Sequence, residues 1–382
     1  MDITGIICEY NPLHLGHRKH LSAIRGQNPD GGIVCLMSGN YVQRGAPAII
    51  DKSLRAQAAV LCGADLVLEL PITASLSSAE GFAQEGVRIL GGFCNTLSFG
   101  AETADTDRLL STARALLSND FPEALRRELD KGLSFPAARQ AALQAMGFHQ
   151  DTLTEPNDIL ATEYCKAILR QSVSMVPAPI HREGGYHDLA ADRENPSATA
   201  VRELMLSGHP YEAYIPECAR NVFAIAPLHT TAAGEQSILY RLRSMSSEEF
   251  EALPYGSEGL WRKLMQNAGK YDSLEEIISA TKSKRYTRTR LDRMVMCAFL
   301  GITAQDIASP APYVRVLGFN DRGREILKAA RQTGLFPNAG ESVDHPYQNL
   351  EIRAGRLYGL FCTGSNKASF DETERRIFYK AD

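Results

Sequence analysis

Two histidines near the start of the chain flank a glycine at a point where phosphate chemistry is expected. They are His14 and His17, with Gly16 between them, and they follow an apolar run over residues 3–8 that predicts a buried strand. A helix is predicted over residues 17–25, and backbone N–H groups at a helix N-terminus attract phosphate. Imidazole N–H groups there can donate to triphosphate oxygens and stabilise the charge that builds as pyrophosphate leaves. Gly16 would let the backbone approach a ligand closely. We therefore take His14 and His17 as candidate catalytic residues; the alternative is two surface histidines in an ordinary loop.

A second phosphate-binding pattern lies far downstream, in the segment from Ser197 to Arg202. Ser197 or Thr199 can cap the helix predicted over residues 197–207, and Arg202 with the free N–H groups of its first turn suits a phosphate. Taken alone, the pattern fits a plain helix cap with a solvated arginine equally well. The two patterns in this order are typical of enzymes that grip a triphosphate from opposite sides.

A basic segment stands out in a chain whose formal net charge is −4. Residues 282–290 carry five positive charges, which we predict to bind RNA phosphates, with Tyr286 available to stack on a base. The five side chains are Lys282, Lys284, Arg285, Arg288 and Arg290. A solvated, basic helix start is one alternative, and contact with ATP phosphates across a domain cleft is another.

Short apolar runs alternate with helical patterns over the first hundred residues. Helices are predicted over 52–62, with Asp51 as N-cap, and over 79–90. The predicted strands are Ile3–Cys8, Ile33–Met37, Asp65–Leu70 and Thr96–Phe99. Continuous apolar strands separated by helices predict a parallel sheet covered on both faces, and right-handed crossovers make it an α/β, Rossmann-like fold.

The rest of the chain reads mainly as helix. We expect a helical insertion over about 104–170, followed by a strand at 174–180 whose two prolines suit a sheet edge. Residues 1–207 would then form the ATP-binding nucleotidyltransferase domain. Residues 208–382 would form a mostly helical C-terminal region, which carries the basic segment predicted to bind RNA. A strand at 313–319 is expected to belong to a small C-terminal α/β element.

Composition limits the classes of function. The chain has 382 residues, too many for one compact core, and its negative net charge restricts any nucleic-acid contact to a local patch. Eight cysteines without a CxxC pair argue against a structural zinc site, so we predict no protein metal site and reduced, buried thiols. We see no signal peptide and no run of about 20 apolar residues, and expect a cytoplasmic protein without membrane contact.

Eight blocks along the chain resemble the bacterial tRNA(Met) cytidine acetate ligases, a branch of the HxGH nucleotidyltransferases. In order, the blocks are Glu9–His17, Met37–Gly45, Asp65–Pro71, Phe99–Glu102, Asn157–Leu160, Gly184–Asp188, Ser197–Arg202 and Lys282–Thr287. Departures from the family pattern occur at Leu13, Leu15, Ala101 and Pro156. None of them removes a histidine or the downstream arginine.

The resemblance implies a reaction and a set of site residues. Acetate and ATP would give acetyl-adenylate and pyrophosphate, and the acetyl group would pass to the N4 amine of the wobble cytidine in elongator tRNA(Met). Mg²⁺ would be carried by the triphosphate instead of a protein cage. The implied ATP-binding residues are Ile7, Cys8, Glu9, Tyr10, Asn11, Pro12, Leu13, His14, Leu15, Gly16, His17, Arg18, Lys19, His20, Gly100, Asn157, Arg182 and Glu183, with Ser197, Thr199 and Arg202 opposite.

Two other functions remain open at this point. One is a small-molecule adenylyltransferase of the pantetheine-phosphate or nicotinamide-mononucleotide type, although the helical half and the basic segment favour a larger acceptor. The other is a non-catalytic, nucleotide-sensing RNA-binding protein, against which the intact His14, His17 and Arg202 argue. Pyrophosphate release that depends on acetate would separate both from acetate ligation.

Overall fold

A computed structural model of the chain describes residues 1–148, 153–182, 196–283, 286–336, 345–364 and 377–381. These residues form one large sheet, a short hairpin and the helices packed around them. The strands are β1 (Ile3–Cys8), β2 (Gly32–Ser38), β3 (Tyr41–Val42), β4 (Ala46–Pro47), β5 (Leu66–Leu70), β6 (Thr96–Ala101), β7 (Val176–His181), β8 (Val316–Asn320) and β9 (Phe378–Lys380). The four strands predicted in the first hundred residues are thereby confirmed.

The large sheet has seven strands within the described residues, in the order β7-β6-β1-β2-β5-β8-β9. Only β8 runs antiparallel to its neighbour β5 among these pairs; the others are parallel. The chain builds outward from β1 in two directions, towards β2 on one side and β6 on the other. Such a switch in strand order opens a crevice at the carboxyl ends of β1 and β6, where ligands bind in α/β folds. The predicted Rossmann-like fold is confirmed.

The helices fall into two groups along the chain. Those that accompany the first seven strands are α1 (Leu15–Gln27), α2 (Lys52–Leu61), α3 (Ile72–Ser75), α4 (Ala79–Leu90), α5 (Thr106–Leu117), α6 (Phe121–Asp130), α7 (Phe135–Ala145), α8 (Pro156–Gln171) and α9 (Ala198–Leu206). The later ones are α10 (Glu217–Ala224), α11 (Glu235–Ser244), α12 (Ser247–Glu251), α13 (Leu260–Ala268), α14 (Leu274–Thr281), α15 (Arg288–Leu300), α16 (Ala304–Ala308), α17 (Asp321–Ala330) and α18 (Pro346–Tyr358). None of the described helices combines the length and apolar character that a membrane crossing requires.

Alternating side chains of the buried strands fill two cores, one on each face of the sheet. Val34 and Leu36 of β2 face the core that α4, α5 and α8 cover, whereas Cys35 and Met37 face the core that α1, α2, α9 and α10 cover. Helices α11 to α15 and α18 enclose a third core of their own. The continuous apolar runs in the sequence follow from this burial on both faces.

The strand expected to start a separate C-terminal element lies instead in the large sheet, which corrects that expectation. β8 pairs antiparallel with β5, and the Asn320 side chain donates to the Asp65 carboxylate over 3.0 Å. β5 would otherwise present a row of unpaired backbone groups at the sheet edge. Pairing with β8 satisfies them, so residues from the last quarter of the chain complete a sheet that its first residues begin. The proposed division at residue 207 stays a prediction.

One pair of cysteines differs from the expectation of reduced thiols. Cys62, at the end of α2, is joined in a disulfide to Cys218 in α10, with their Cα atoms 6.0 Å apart and their positions separated by 156 in the sequence. The two helices pack against each other beneath the sheet, and this tertiary contact brings the sulfur atoms together. The spacing of single cysteines along the chain contains no signal for it. Among the described residues, no disulfide involves the other six cysteines, which are Cys8, Cys35, Cys94, Cys165, Cys297 and Cys362.

Candidate active site

The loop between β1 and α1 holds His14 and His17 in a reciprocal cap at the helix N-terminus. His14 is the N-cap residue, and its Nδ1 atom accepts a hydrogen bond from the Gly16 backbone N–H over 3.1 Å. His17, three residues on, accepts at Nδ1 from the His14 backbone N–H over 3.2 Å. The arrangement follows the capping-box pattern with imidazoles in place of the usual hydroxyl and carboxylate. The predicted helix is present, but it begins at Leu15, two residues before the predicted start, because His14 supplies the cap.

These caps fix the protonation of both rings. A neutral imidazole that accepts at Nδ1 must carry its proton on Nε2, so each ring presents one Nε2–H donor. Burial, together with the positive charges of Arg182 and Arg202, lowers the pKa of His14 to about 3. Burial and the neighbouring His14, Arg182 and His20 lower the pKa of His17 well below its usual value. Both rings are therefore neutral donors at physiological pH.

The Nε2–H group of His14 is available to donate a hydrogen bond to a ligand. His14 is 1% exposed, and its Nε2 atom has no hydrogen-bond partner among the described residues. The His17 ring lies beside it, with the ring centroids 3.8 Å apart. A buried, unpaired N–H group costs about 1–3 kcal/mol, which a ligand oxygen at this position would recover.

Gly16 has a different role from the one expected. A Cβ atom at this position would lie 3.0 Å from Cε1 and 3.2 Å from Nδ1 of His14. Any larger residue would press on the imidazole that caps the helix. The glycine thus makes room for the His14 ring within the protein.

Arg182 and His20 lie on the β6–β7 side of the crevice. The Arg182 backbone N–H donates to Ala101 at the end of β6 over 3.0 Å, and His20 pairs with Ser98 of β6 at 2.8 Å. Burial and then the Arg182 charge lower the pKa of His20 to about 4. The positive charge of Arg182 also contributes to the lowered pKa of His14 and of His17.

The second phosphate-binding pattern meets the first in space. Ser197 caps α9 by accepting from the Ala200 backbone N–H over 3.0 Å. Of the two residues predicted as possible caps, Ser197 and Thr199, Ser197 is thus the cap. Arg202 donates to the Asn11 carbonyl oxygen over 2.7 Å and to the Thr199 hydroxyl over 3.0 Å. Both partners are acceptors that hold the guanidinium at the β1–α1 loop. Residues 191 positions apart in sequence therefore face one site.

Glu9, which follows β1 directly, contributes a carboxylate on this side of the crevice. Its Oε1 atom accepts from the Gln43 backbone N–H over 2.7 Å. Burial raises the pKa of Glu9, and the charges of Arg202, Arg44 and Arg55 oppose that rise. In the sequence, Gln43 and Arg44 follow the second strand, at the carboxyl edge of the sheet where α/β folds bind ligands. That position is the sequence signal for a place at the site.

Several other residues implied by the resemblance point their side chains into the protein. Ile7 and Leu13 belong to the two cores, and the Tyr10 ring meets the His17 ring edge-on at 4.9 Å. Asn11 accepts from the Ile49 backbone over 2.7 Å. The corresponding backbone, which includes a cis Asn11–Pro12 bond, is what can face a ligand. Arg18 donates to the Cys62 carbonyl oxygen, and Lys19 is exposed.

Gly100 and Asn157 lie across the crevice from the histidines. Gly100 is in β6, and Asn157 is in the first turn of α8, where Pro156 occupies a helix-start position that suits proline. The Asn157 amide donates to the Glu102 carboxylate over 2.6 Å. Of the departures from the family pattern, Leu13 and Ala101 are fully buried and so act through packing. Glu183 lies outside the described residues.

Part of the basic segment forms hydrogen bonds with the protein itself. Arg288 forms two hydrogen bonds with Glu275, at 2.7 and 2.6 Å, and an ion pair with Asp292. Arg290 donates to the Tyr255 carbonyl oxygen over 2.8 Å and lies over the Tyr286 ring. Lys282 is exposed, while Lys284 and Arg285 lie outside the described residues.

No set of three His, Cys, Asp or Glu side chains in the described ranges is arranged to hold a metal ion. The histidines and arginines described above supply hydrogen-bond donors and positive charge to the crevice. Such a set suits a polyanion.

Comparisons with known proteins agree with the geometry. A family model described as HIGH Nucleotidyl Transferase matches residues 1–374. A tRNA(Met) cytidine acetate ligase of Clostridium perfringens is 36% identical over 100% of both chains. One from Listeria monocytogenes is 36% identical over 94% of this chain and 95% of its own.

Solved structures extend the likeness to the whole fold. The apo crystal structure of Thermotoga maritima TmcAL matches with a TM-score of 0.91 at 27% identity, covering 100% of both chains. The structure of the same protein bound with alpha-thio ATP matches with a TM-score of 0.89 at 28% identity. The resemblance carried by the eight sequence blocks is thus confirmed. The chain belongs to the HIGH nucleotidyl transferase family and, within it, to the family of the tRNA(Met) cytidine acetate ligases.

Proposed function

We propose that this protein activates acetate with ATP and transfers the acetyl group to the N4 amine of the wobble cytidine in elongator tRNA(Met). The observation that carries the proposal is the convergence of His14, His17, Arg182 and Arg202 on one crevice. The relatives that share this chain's full length are named for the same activity, and one solved neighbour holds an ATP analogue.

In the first step an acetate oxygen attacks the α-phosphorus of ATP, and the bond to pyrophosphate breaks. Acetate is ionised at neutral pH, so the step needs positioning and charge stabilisation but no general base. The neutral Nε2–H donors of His14 and His17 would stabilise the negative charge on the departing pyrophosphate. Arg182 and Arg202 would hold the triphosphate, and Mg²⁺ would accompany it.

In the second step the cytosine N4 amine attacks the acetyl carbonyl carbon, the bond to AMP breaks, and the amine loses a proton. The amine is a poor nucleophile because its lone pair is conjugated with the ring, so an activated acyl donor is needed. The cytosine must also leave the anticodon stack, and a single-stranded loop makes this inexpensive.

We place the tRNA contact on the basic segment, residues 282–290. Helix α15 begins within this segment. It contacts the turn between β3 and β4, because Arg293 donates to the Gln43 carbonyl oxygen over 3.3 Å. A tRNA bound at the start of α15 would therefore lie on the element that supports the nucleotide site. We assign the phosphate contact foremost to Lys282, Lys284 and Arg285, because of the positive charges that they carry in the sequence. Arg288 and Arg290 form hydrogen bonds with protein groups. A cytoplasmic location fits this substrate.

The test is mass spectrometry of nucleosides from unmodified elongator tRNA(Met), incubated with the enzyme, ATP, Mg²⁺ and isotopically labelled acetate. We expect labelled N4-acetylcytidine that is absent when ATP is omitted. Acetate-dependent exchange of pyrophosphate into ATP would report the first step separately. A folded, ATP-binding protein that yields neither product would contradict the proposal and favour a small-molecule adenylyltransferase or a nucleotide sensor.

A further inference from the structure

The carboxyl end of β6 and the first turn of α8 form the side of the crevice opposite the histidines. On the β1 side, His14 caps α1 and Arg202 is anchored to Asn11, while Arg182 follows β7 and donates its backbone N–H to Ala101. A nucleotide whose triphosphate is held by His14 and Arg202, with Arg182 beside it, can place its base or sugar at the end of β6 and the start of α8. Asn157 is the amide side chain in that first turn.

The carboxylates of Glu102 and Asp158 connect the end of β6 to the start of α8. Glu102, directly after β6, accepts from the Asn157 amide nitrogen over 2.6 Å and from the Asp158 backbone N–H over 2.9 Å. Asp158 in return accepts from the Thr103 backbone N–H over 3.0 Å and from the Thr103 hydroxyl. Each carboxylate thus bridges the strand end and the helix start, and both oxygens of Glu102 are used.

The Glu102 hydrogen bond determines which way the Asn157 amide faces. A carboxylate can only accept, so the amide nitrogen must point to it; the opposite orientation would place two acceptor oxygens 2.6 Å apart. The Oδ1 atom of Asn157 is therefore directed away from Glu102. Among the described residues, no hydrogen bond reaches it.

We propose that Glu102 is a positioning residue that presents Asn157 Oδ1 as a fixed hydrogen-bond acceptor to the nucleoside part of ATP. The matching donor is either the exocyclic amine of adenine or a ribose hydroxyl. In the first case the acceptor rejects purine nucleotides that carry an oxo group in place of the amine, because two acceptors would then face each other. The inference rests on the proposed use of ATP and adds how its nucleoside is recognised.

A reciprocal swap tests the orientation. Glu102→Gln introduces an amide that can donate to Asn157, which frees Asn157 to turn its own nitrogen towards the nucleoside. Asn157→Asp alone places two carboxylates in contact. The double substitution Glu102→Gln/Asn157→Asp exchanges donor and acceptor, so the hydrogen bond is restored and an oxygen again faces the nucleoside. The new carboxamide oxygen can still accept from the Asp158 backbone N–H.

The readout is the dissociation constant for ATP, inosine triphosphate, 2′-deoxy-ATP and 3′-deoxy-ATP, measured by calorimetry without acetate. We expect each single variant to bind ATP at least about tenfold more weakly and the double variant to recover most of that loss. Both single variants should also lose discrimination against the analogue that lacks the recognised donor. A preference for ATP over inosine triphosphate would identify the amine, and a preference over a deoxy analogue the hydroxyl.

A purely structural role would give another pattern. The single variants would then melt at lower temperature, with the ratio of ATP to analogue affinities unchanged and no recovery in the double variant. That result would overturn the inference. Acetate-dependent pyrophosphate exchange by the wild-type protein is measured alongside; its absence would reject the proposed reaction while the affinity ratios still decide the role of Glu102.

Discussion

His14 and His17 each accept a backbone hydrogen bond at Nδ1, and this determines what the two rings can do. With the proton on Nε2 and the pKa of both rings lowered by burial, they can donate hydrogen bonds but are not charged acids at neutral pH. The site's positive charge then comes from its arginines. Oriented neutral donors act on the developing charge without the cost of burying an imidazolium.

Removing the distal donor of His17 while keeping its cap tests this role. His17→Asn places a carbonyl oxygen near the position of Nδ1, so the His14 backbone N–H keeps an acceptor. We expect kcat for acetate-dependent pyrophosphate exchange to fall by about 10²–10³-fold, the usual loss for one such donor. The kcat of His17→Gln should fall less, because its amide nitrogen reaches towards the position of Nε2. Melting temperatures of both variants serve as the control, and an asparagine variant that exchanges pyrophosphate at the wild-type rate would refute the role.

The buried histidines should also make stability depend on pH. The pKa of His14 is lowered to about 3, whereas in the unfolded chain the pKa of a histidine is about 6.5. Between these values the unfolded state binds the proton and the folded state does not, so lowering the pH through this window favours unfolding. At pH 5 the contribution is about 2 kcal/mol for His14.

Urea unfolding at pH 7.5 and pH 5, for wild type and His14→Asn, measures this contribution. The variant keeps a cap acceptor but cannot titrate, so its loss of stability at pH 5 should be smaller by about 2 kcal/mol. The difference between the proteins is needed because Glu351 acts in the opposite sense. Burial and the nearby Glu69 raise the pKa of Glu351 to about 7, and its share of stability is lost as pH rises. Equal losses in the two proteins would contradict the prediction.

At the scale of elements, the loop between β3 and β4 joins the site to α15. Glu9 holds the loop through the Gln43 backbone, and on its other side the loop lies against the Arg293 backbone. Gly45 is the point of contact, with φ at +77° and no space for a Cβ atom. A left-handed glycine pressed against another backbone explains why this loop can lie so close to the helix.

Gly45→Ala should therefore do more than strain the backbone. We expect a loss of stability above the roughly 1 kcal/mol of an alanine at positive φ, and a higher KM for ATP, because the loop must move away from Arg293 and take Arg44 with it. Gly132→Ala is the matched control, since Gly132 has φ at +83° with open space around it. Thermal melts and pyrophosphate-exchange kinetics compare them. Equal effects of the two substitutions would mean that the contact with α15 has no role.

At the scale of the whole molecule, the two chemical steps should depend on different surfaces. Reversing charge at Lys282, Lys284 and Arg285 should weaken tRNA binding and reduce its salt dependence, because fewer counterions are released. Acetate-dependent pyrophosphate exchange should stay unchanged. Filter binding at several salt concentrations and exchange assays measure the two effects.

The matched control for that variant is an equal reversal on another surface. Arg126, Arg127 and Lys131 lie on and just after α6, which packs with α5 and α7 away from α15. Their reversal changes net charge by the same amount and should leave tRNA binding intact. If the basic-segment variant instead raises the KM for ATP and binds tRNA normally, the segment belongs to the nucleotide site.

The sequence alone determined the local parts of this protein. Strand and helix positions over the first hundred residues, the Asp51 and Ser197 caps, and the place of His14 and His17 at a helix start are set by patterns a few residues long. Such patterns are readable because hydrogen bonding and burial within one element repeat with its period. The family followed from eight of these blocks in order.

Only the tertiary structure decided what depends on contacts between distant residues. It places β8 in the main sheet, joins Cys62 to Cys218, brings Arg202 to Asn11, and engages Arg288 with Glu275. It also orients the Asn157 amide through Glu102, a residue that ends one of the eight family blocks but to which the sequence assigned no role. Each of these pairings depends on how helices and strands pack against one another. Packing brings together residues that are far apart in the sequence, and short sequence patterns do not show which of them will meet.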